Sequence, residues 1–299
     1  MTQASLWRGV IPAITTPFTA DGAVDHDFLA RHARLMLDAG CTGIVPLGSL
    51  GEGATLGFDE KVAIMRTLVA ALGDAPVIPG IAALSTDEAV QLARAAKAAG
   101  CRGLMVLPPY VYSTDAREMG AHVAAVIGAT DLPCMLYNNP LAYKTDFVPE
   151  QLAELAAAFP NVQAVKESSG DLRRIAAIRA LIGDRLEILV GVDDAIVESI
   201  QMGATGWIAG MVNAFPKESV QLFEHAKQGS AAVTDLYHWF LPTLRLDTVP
   251  KFVQLIKLAQ QEVGLGSERV RAPRLVLQGE EREQALRVIR KAIAERPEA

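Results

Sequence analysis

Lys166 is the first residue of this chain whose type and place suggest a reaction. It closes the run Val162-Gln163-Ala164-Val165-Lys166 and is followed by Glu167-Ser168-Ser169. In an extended strand alternate side chains share a face, so Val162, Ala164 and Lys166 point the same way. A lysine on a buried face loses hydration, which lowers its pKa and yields the neutral amine that attacks a carbonyl or imine. The competing reading is a strand-end ion pair with Glu167, or plain solvation.

A second candidate is Tyr137, the end of Cys134-Met135-Leu136-Tyr137 before Asn138-Asn139-Pro140. On a strand next to that of Lys166, its phenol can shuttle protons while an imine forms and hydrolyses. Taken alone, it reads more readily as a tyrosine capping the core with its hydroxyl on a backbone carbonyl. The third place is Gly48-Ser49-Leu50-Gly51-Glu52-Gly53. Glycines there allow a tight turn that presents N–H groups to an anion, and Ser49 adds a hydroxyl. His26, His32, His122, His225 and His238 fall mostly within helical patterns, and Asp193-Asp194 have no partners at ligand spacing. No metal site and no Ser-His-Asp arrangement follows.

These residues need elements that bring them together. Short apolar runs recur at Val10–Thr15, Gly43–Leu47, Val77–Ile81, Leu104–Leu107, Cys134–Tyr137, Val162–Val165, Ile188–Val190 and Gly206–Ala209. Helical patterns such as Asp25–Ala39, Asp59–Ala71, Thr86–Ala99 and Asp171–Leu181 lie between them. An echo marks the joins. Ala39-Gly40-Cys41-Thr42-Gly43-Ile44 recurs as Ala99-Gly100-Cys101-Arg102-Gly103-Leu104, and more loosely as Met202–Trp207. Strands separated by helices require crossovers and a parallel sheet. The repetition predicts an α/β fold, a (β/α)8 TIM barrel with a C-terminal helical extension. The barrel takes about residues 1–230, and helices over about 231–299 pack on it as part of a single domain. In such a barrel the site lies at the C-terminal ends of the strands, where Lys166 and Tyr137 fall.

Composition limits the partners. Of 299 residues 51% are apolar and 21% charged, which excludes a disordered chain. The net charge of −6 argues against a nucleic-acid binder, which carries a basic face. The longest uncharged stretch, Ser199 to Pro216, is interrupted by Gly203, Gly206, Gly210 and Asn213, so no membrane span is expected. Cys41, Cys101 and Cys134 form no CxxC and read as buried reduced thiols of a cytoplasmic protein. Neither GxGxxG after the first strand nor GxxxxGK[ST] occurs, which disfavours nucleotide binding.

Taken in order, the motifs resemble the dihydrodipicolinate synthase / N-acetylneuraminate lyase superfamily of Schiff-base barrels. They run from Gly9–Phe18 through Gly48–Leu56, Leu107–Tyr110, Tyr137–Pro140 and Val165–Asp171 to Gly203–Gly210, nearly the whole chain. The resemblance implies that Lys166 is the Schiff-base lysine and Tyr137 the proton-relay tyrosine. It places Gly48, Ser49 and Leu50 at the carboxylate-binding loop, and Ile208 and Gly191 beside the imine. It also implies a homotetramer without a cofactor.

Three departures bear on the substrate. Where the synthase of lysine biosynthesis has paired threonines, this chain has Ser49 and Leu50. Val111 stands where a second relay tyrosine would be, and Ala142 where an arginine holds the aldehyde's carboxylate. The overall pattern, with Leu246–Leu258, looks most like the 1-pyrroline-4-hydroxy-2-carboxylate deaminases of hydroxyproline breakdown. The expected substrate is therefore a short 2-oxo or cyclic 2-imino acid, opened to 2-oxoglutarate semialdehyde and ammonia. A 2-keto-3-deoxy sugar-acid dehydratase or aldolase is the alternative, with lysine biosynthesis less favoured. A ligand-sensing barrel is the non-enzyme reading.

Overall fold

The echo at the helix ends is a backbone device. Gly40, Gly100 and Gly203 all take left-handed φ values, 104°, 89° and 104°. In each case the residue after the glycine donates back into the last helical turn, Cys41 to Met36, Cys101 to Ala96 and Ala204 to Ser199. These bonds end the helix and aim the chain straight into the next strand. In the computed structural model, which describes residues 6–109 and 115–297, this unit is used around a ring.

Seven parallel strands are hydrogen-bonded side by side. They are β1 (Gly9–Pro12), β2 (Gly80–Ile81), β3 (Leu104–Val106), β4 (Cys134–Asn138), β5 (Val162–Glu167), β6 (Glu187–Val190) and β7 (Gly206–Ala209). Their order is β1-β7-β6-β5-β4-β3-β2. The expected strand Gly43–Leu47 is reduced to bridges, Ala13 with Val45 and Ile44 with Val77. Ile14 donates to Val45, Val45 to Pro12, Ile78 to Ile44 and Gly80 to Pro46, so this segment still joins β1 to β2 and closes the barrel. It turns away early because Leu47, with φ 66°, starts the Gly48–Gly53 loop.

Helices pack outside the ring, among them α1 (His26–Asp38), α2 (Phe58–Leu72), α3 (Thr86–Ala98) and α4 (Ala116–Gly128). Capping side chains fix their starts: Asp25 accepts from Phe28 N at 2.9 Å, and Ser85 from Glu88 N at 3.2 Å. After β4 come the single turn α5 (Pro140–Tyr143) and α6 (Pro149–Ala158), then α7 (Arg173–Ile182), α8 (Ile196–Gln201) and α9 (Pro216–Gln228). The chain ends in α10 (Val233–Leu244), α11 (Phe252–Glu262) and α12 (Gly279–Ala294). Leu236, Ile256 and Ile289 from these last helices are buried in the same apolar core as the barrel strands.

The three cysteines are buried and unpaired, and burial pushes each thiol up to about 12. Among the described residues no helix is long and apolar enough to cross a membrane.

Candidate active site

Strand register brings the two main candidates together. Tyr137 of β4 pairs with Lys166 of β5, and the Lys166 Nζ lies 4.2 Å from the centre of the Tyr137 ring. Lys166 is 7% exposed, and among the described residues no carboxylate lies within salt-bridge distance of it. The strand-end pairing with Glu167 does not occur. Glu167 instead accepts from Asn138 Nδ2 at 3.1 Å and from Ser169 N at 2.7 Å. Burial pulls the Lys166 ammonium down to about 8, against the opposing pull of the Asp247 and Asp193 carboxyls. At that value roughly a fifth of this lysine is neutral near pH 7.4, against almost none for an ordinary lysine.

Gly191, directly after β6, makes room for the lysine. A Cβ there would overlap Lys166 Cε and Ser168 Oγ and come within 2.9 Å of Lys166 Cγ. Ile208, on β7 opposite Ile11 of β1, is buried.

Tyr137 is held from the turn that follows it. Asn139 donates its Nδ2 to the Tyr137 hydroxyl at 2.9 Å, and its Oδ1 caps α5 by accepting from Ala142 N at 3.0 Å. Burial raises the Tyr137 pKa, so the phenol keeps its proton. That short helix also delivers a residue that sequence reasoning missed. Tyr143 stands edge-on to Tyr137 with ring centres 5.7 Å apart, and its hydroxyl is hydrogen-bonded to Ser49. A second phenol thus reaches the site from α5. The expected position of a second tyrosine, Val111, lies outside the described residues, as does Tyr110. Ala142 is exposed, one residue before Tyr143. The signal for Tyr143 was its place on the first helical turn after Asn139-Pro140, legible only once that turn folds back over β4.

The Gly48–Gly53 loop is fixed from behind by a buried ion pair. Glu52, with φ 54°, turns its carboxylate inward to Lys257 Nζ at 2.5 Å, the two side chains being 0% and 2% exposed. Lys257 also donates to Thr16 O at 2.8 Å and Arg269 O at 2.7 Å, and it lies 4.4 Å from the Phe18 ring centre. Arg271 N donates to Glu52 at 3.0 Å. Every polar atom of the pair has a partner, which a buried charge requires. In front of it, Leu50 is buried and Ser49 half-buried. Among the described residues no carbonyl accepts from the Ser49 and Leu50 backbone N–H groups. Gly48 lies close beneath β2, since a Cβ on Gly80 would come within 3.0 Å of its nitrogen.

A groove of about 830 Å³, lined by Thr55, Gln254 and Leu275 among others, contains neither Lys166 nor Tyr137. Lys166, Tyr137, Tyr143 and Ser49 converge instead at the barrel mouth, which makes it the candidate site.

Comparison with known proteins agrees with this geometry. The dihydrodipicolinate synthetase family matches residues 6–292. A 4-hydroxy-tetrahydrodipicolinate synthase of Sorangium cellulosum is 35% identical over 100% of both chains. One of Natronomonas pharaonis is 34% identical over 95% of this chain and 97% of its own. A prophage protein of Escherichia coli K12 in the dihydrodipicolinic acid synthase family, solved with pyruvate, superposes with a TM-score of 0.90. It is 26% identical and covers 97% of this chain and 99% of its own.

These findings correct the expected activity. The relatives matched over their full length carry the synthase name, which overturns the reading as a 1-pyrroline-4-hydroxy-2-carboxylate deaminase. The physical reason lies in what the quoted motifs do. Glu52 and Lys257, prominent in two of them, build the loop's buried support and do not report on a substrate. Asp146, shortly after the Tyr137–Pro140 motif, forms a two-pronged ion pair with Arg174 of α7 at 2.6 and 2.7 Å. With a lysine and a phenol paired at the barrel mouth and a match from residue 6 to residue 292, the chain belongs to the dihydrodipicolinate synthetase family.

Proposed function

We propose that this protein is a lysine Schiff-base lyase acting on pyruvate or a closely similar 2-oxo acid. The observation that carries the reading is the buried Lys166 amine against the Tyr137 ring, with no carboxylate at salt-bridge distance among the described residues. The neutral amine adds to the 2-oxo carbon, and loss of water gives the imine. Tyr137, backed by Tyr143 and Ser49, supplies and removes the protons of those steps. The N–H groups of Ser49 and Leu50 receive the substrate carboxylate. Gly191 leaves the space in which the imine forms, with Ile208 packed beside it. The imine then acidifies the neighbouring C–H, and proton loss gives an enamine.

The relatives' name supplies the finer reading, a 4-hydroxy-tetrahydrodipicolinate synthase in which the enamine condenses with an aldehyde. Ala142 offers no charge to an acceptor carboxylate, so acceptor preference is the property in which this chain should differ most from its relatives. A homotetramer and a cytoplasmic location belong to this reading as well.

Deuterium exchange into the pyruvate methyl group, followed by NMR in D₂O, tests the proposal without knowledge of the acceptor. Wash-in with the unaltered protein and none with Lys166→Ala is expected. Equal exchange in both proteins would overturn it.

A further inference from the structure

Asp247 is a carboxyl at the mouth of the barrel that the steps above do not use. Asp247 ends the 3-10 turn Arg245–Asp247, directly after α10, and is partly exposed. Its carboxyl presses against Gly210 at the end of β7, where a Cβ would overlap Oδ1 and come within 2.9 Å of Cγ. From the other side the same glycine meets Asp193, whose two oxygens accept from Gly210 N at 3.1 Å each. Asp193 accepts further from Met211 N at 2.7 Å and Trp207 Nε1 at 2.9 Å. Two carboxyls thus converge on one glycine, and their surroundings differ sharply. Asp193 is saturated with N–H donors, whereas no donor among the described residues reaches the carboxyl of Asp247.

Such a pair divides its proton unevenly. The donor-rich member holds the negative charge, and the donor-poor member keeps its O–H. Burial, then the neighbouring Asp193, raise the pKa of Asp247 well above the usual carboxylate range. The Lys166 amine opposes this shift, and Asp194, itself 3.7 Å from Arg245, adds to it. Once ionised, Asp247 would also push the Tyr137 pKa up. Lys166 on β5 therefore has a phenol on the β4 side and a carboxylic acid on the β6–β7 side.

We propose that Asp247 is a further catalytic residue, handing a proton to the carbonyl oxygen of the acceptor aldehyde as the enamine on Lys166 attacks its carbon. This rests on the lyase reading given above. In the step, the enamine nitrogen pair restores the C=N bond and the enamine C=C pair forms the new carbon–carbon bond. The aldehyde π pair moves to its oxygen, which takes the Asp247 proton. Asp247 is left as carboxylate and recovers a proton from water at the mouth. Water then hydrolyses the iminium and frees Lys166.

The test separates imine formation from condensation in one preparation. Borohydride trapping with pyruvate reads the first, and turnover of pyruvate with aspartate semialdehyde, glyceraldehyde or acetaldehyde reads the second. Asp247→Asn should trap pyruvate to within about threefold of the unaltered protein while condensation falls ~100-fold or more, and Asp247→Glu should restore part of it. In the unaltered protein, condensation should decline with rising pH as Asp247 ionises, while trapping increases as Lys166 loses its proton. Condensation by Asp247→Asn within threefold of the unaltered protein would overturn the assignment. So would an equal fall in trapping and condensation, or no condensation with any of the three aldehydes by a protein that traps pyruvate. Absence of any adduct in the unaltered protein would remove the lyase reading itself, and the proposal with it.

Discussion

Lys166 shows how burial and register make a reactive group from an ordinary side chain. Val162, Ala164 and Val165 of β5 are core residues, and the bare Gly191 leaves space that the lysine stem occupies. Three predictions belong at this scale. Tyr137→Phe should fold normally but form the pyruvate adduct ~100-fold more slowly, the usual size of a proton-transfer contribution, as measured by stopped trapping. The adduct rate should also depend on pH with a definite sign. Because burial holds the lysine at about 8, the reactive neutral form grows as pH rises through that value and then levels off. A rate that falls across the same range would point to another nucleophile. Gly191→Ala has no room for its methyl and should abolish trapping while the far-UV spectrum is retained.

At the scale of elements, the Gly48–Gly53 loop is set by the helix behind it. The Glu52–Lys257 pair ties the loop to α11, more than 200 residues away in sequence (|i−j| = 205). Removing one member strands the other charge in the core, so Glu52→Ala should cost about 3–5 kcal/mol in urea unfolding. Replacing both members with apolar residues of similar volume should cost less. Much of this level was legible in the sequence. The strand–helix alternation, the Gly-ended helices and the placing of Lys166 and Tyr137 at strand ends followed from periodicity and turn chemistry. The tie between Glu52 and Lys257 was not, because no local pattern records which distant charges will meet. The same holds for Tyr143 and Asp247, each brought to the mouth by a turn whose direction is set by packing. The Gly43–Leu47 run reads as a full strand on hydropathy alone. Its shortening to bridges is the work of the left-handed Leu47, which no propensity for leucine foretells.

For the whole molecule, a buried polar network joins the barrel to its last helices. Asn213 Oδ1 accepts from Thr15 N at 3.2 Å and faces His32 Nε2 at 3.3 Å, while Gln260 Nε2 meets that nitrogen at 3.2 Å. Burial lowers the His32 pKa from 6.5 to about 4. Between those values the unfolded chain binds more protons than the native one, so the contribution is full above 6.5 and is lost on acidification toward about 4. The loss amounts to roughly 3 kcal/mol. The raised carboxyls of Asp193 and Asp247 act in the opposite sense, so a difference isolates the histidine. Over this range the unaltered protein should lose more stability in urea than His32→Gln does. Identical slopes would contradict the assignment.

Net charge, −6 for the whole chain, is silent about the substrate, because under the proposed function the carboxylate is held locally, by loop N–H groups and one amine. The account stands on that amine. Incubation with pyruvate and borohydride, followed by peptide mass mapping, addresses it most directly. A single reduced pyruvate on the peptide carrying Lys166, absent from Lys166→Ala, is the predicted result. An unmodified Lys166, or an adduct that persists undiminished in Lys166→Ala, would contradict it.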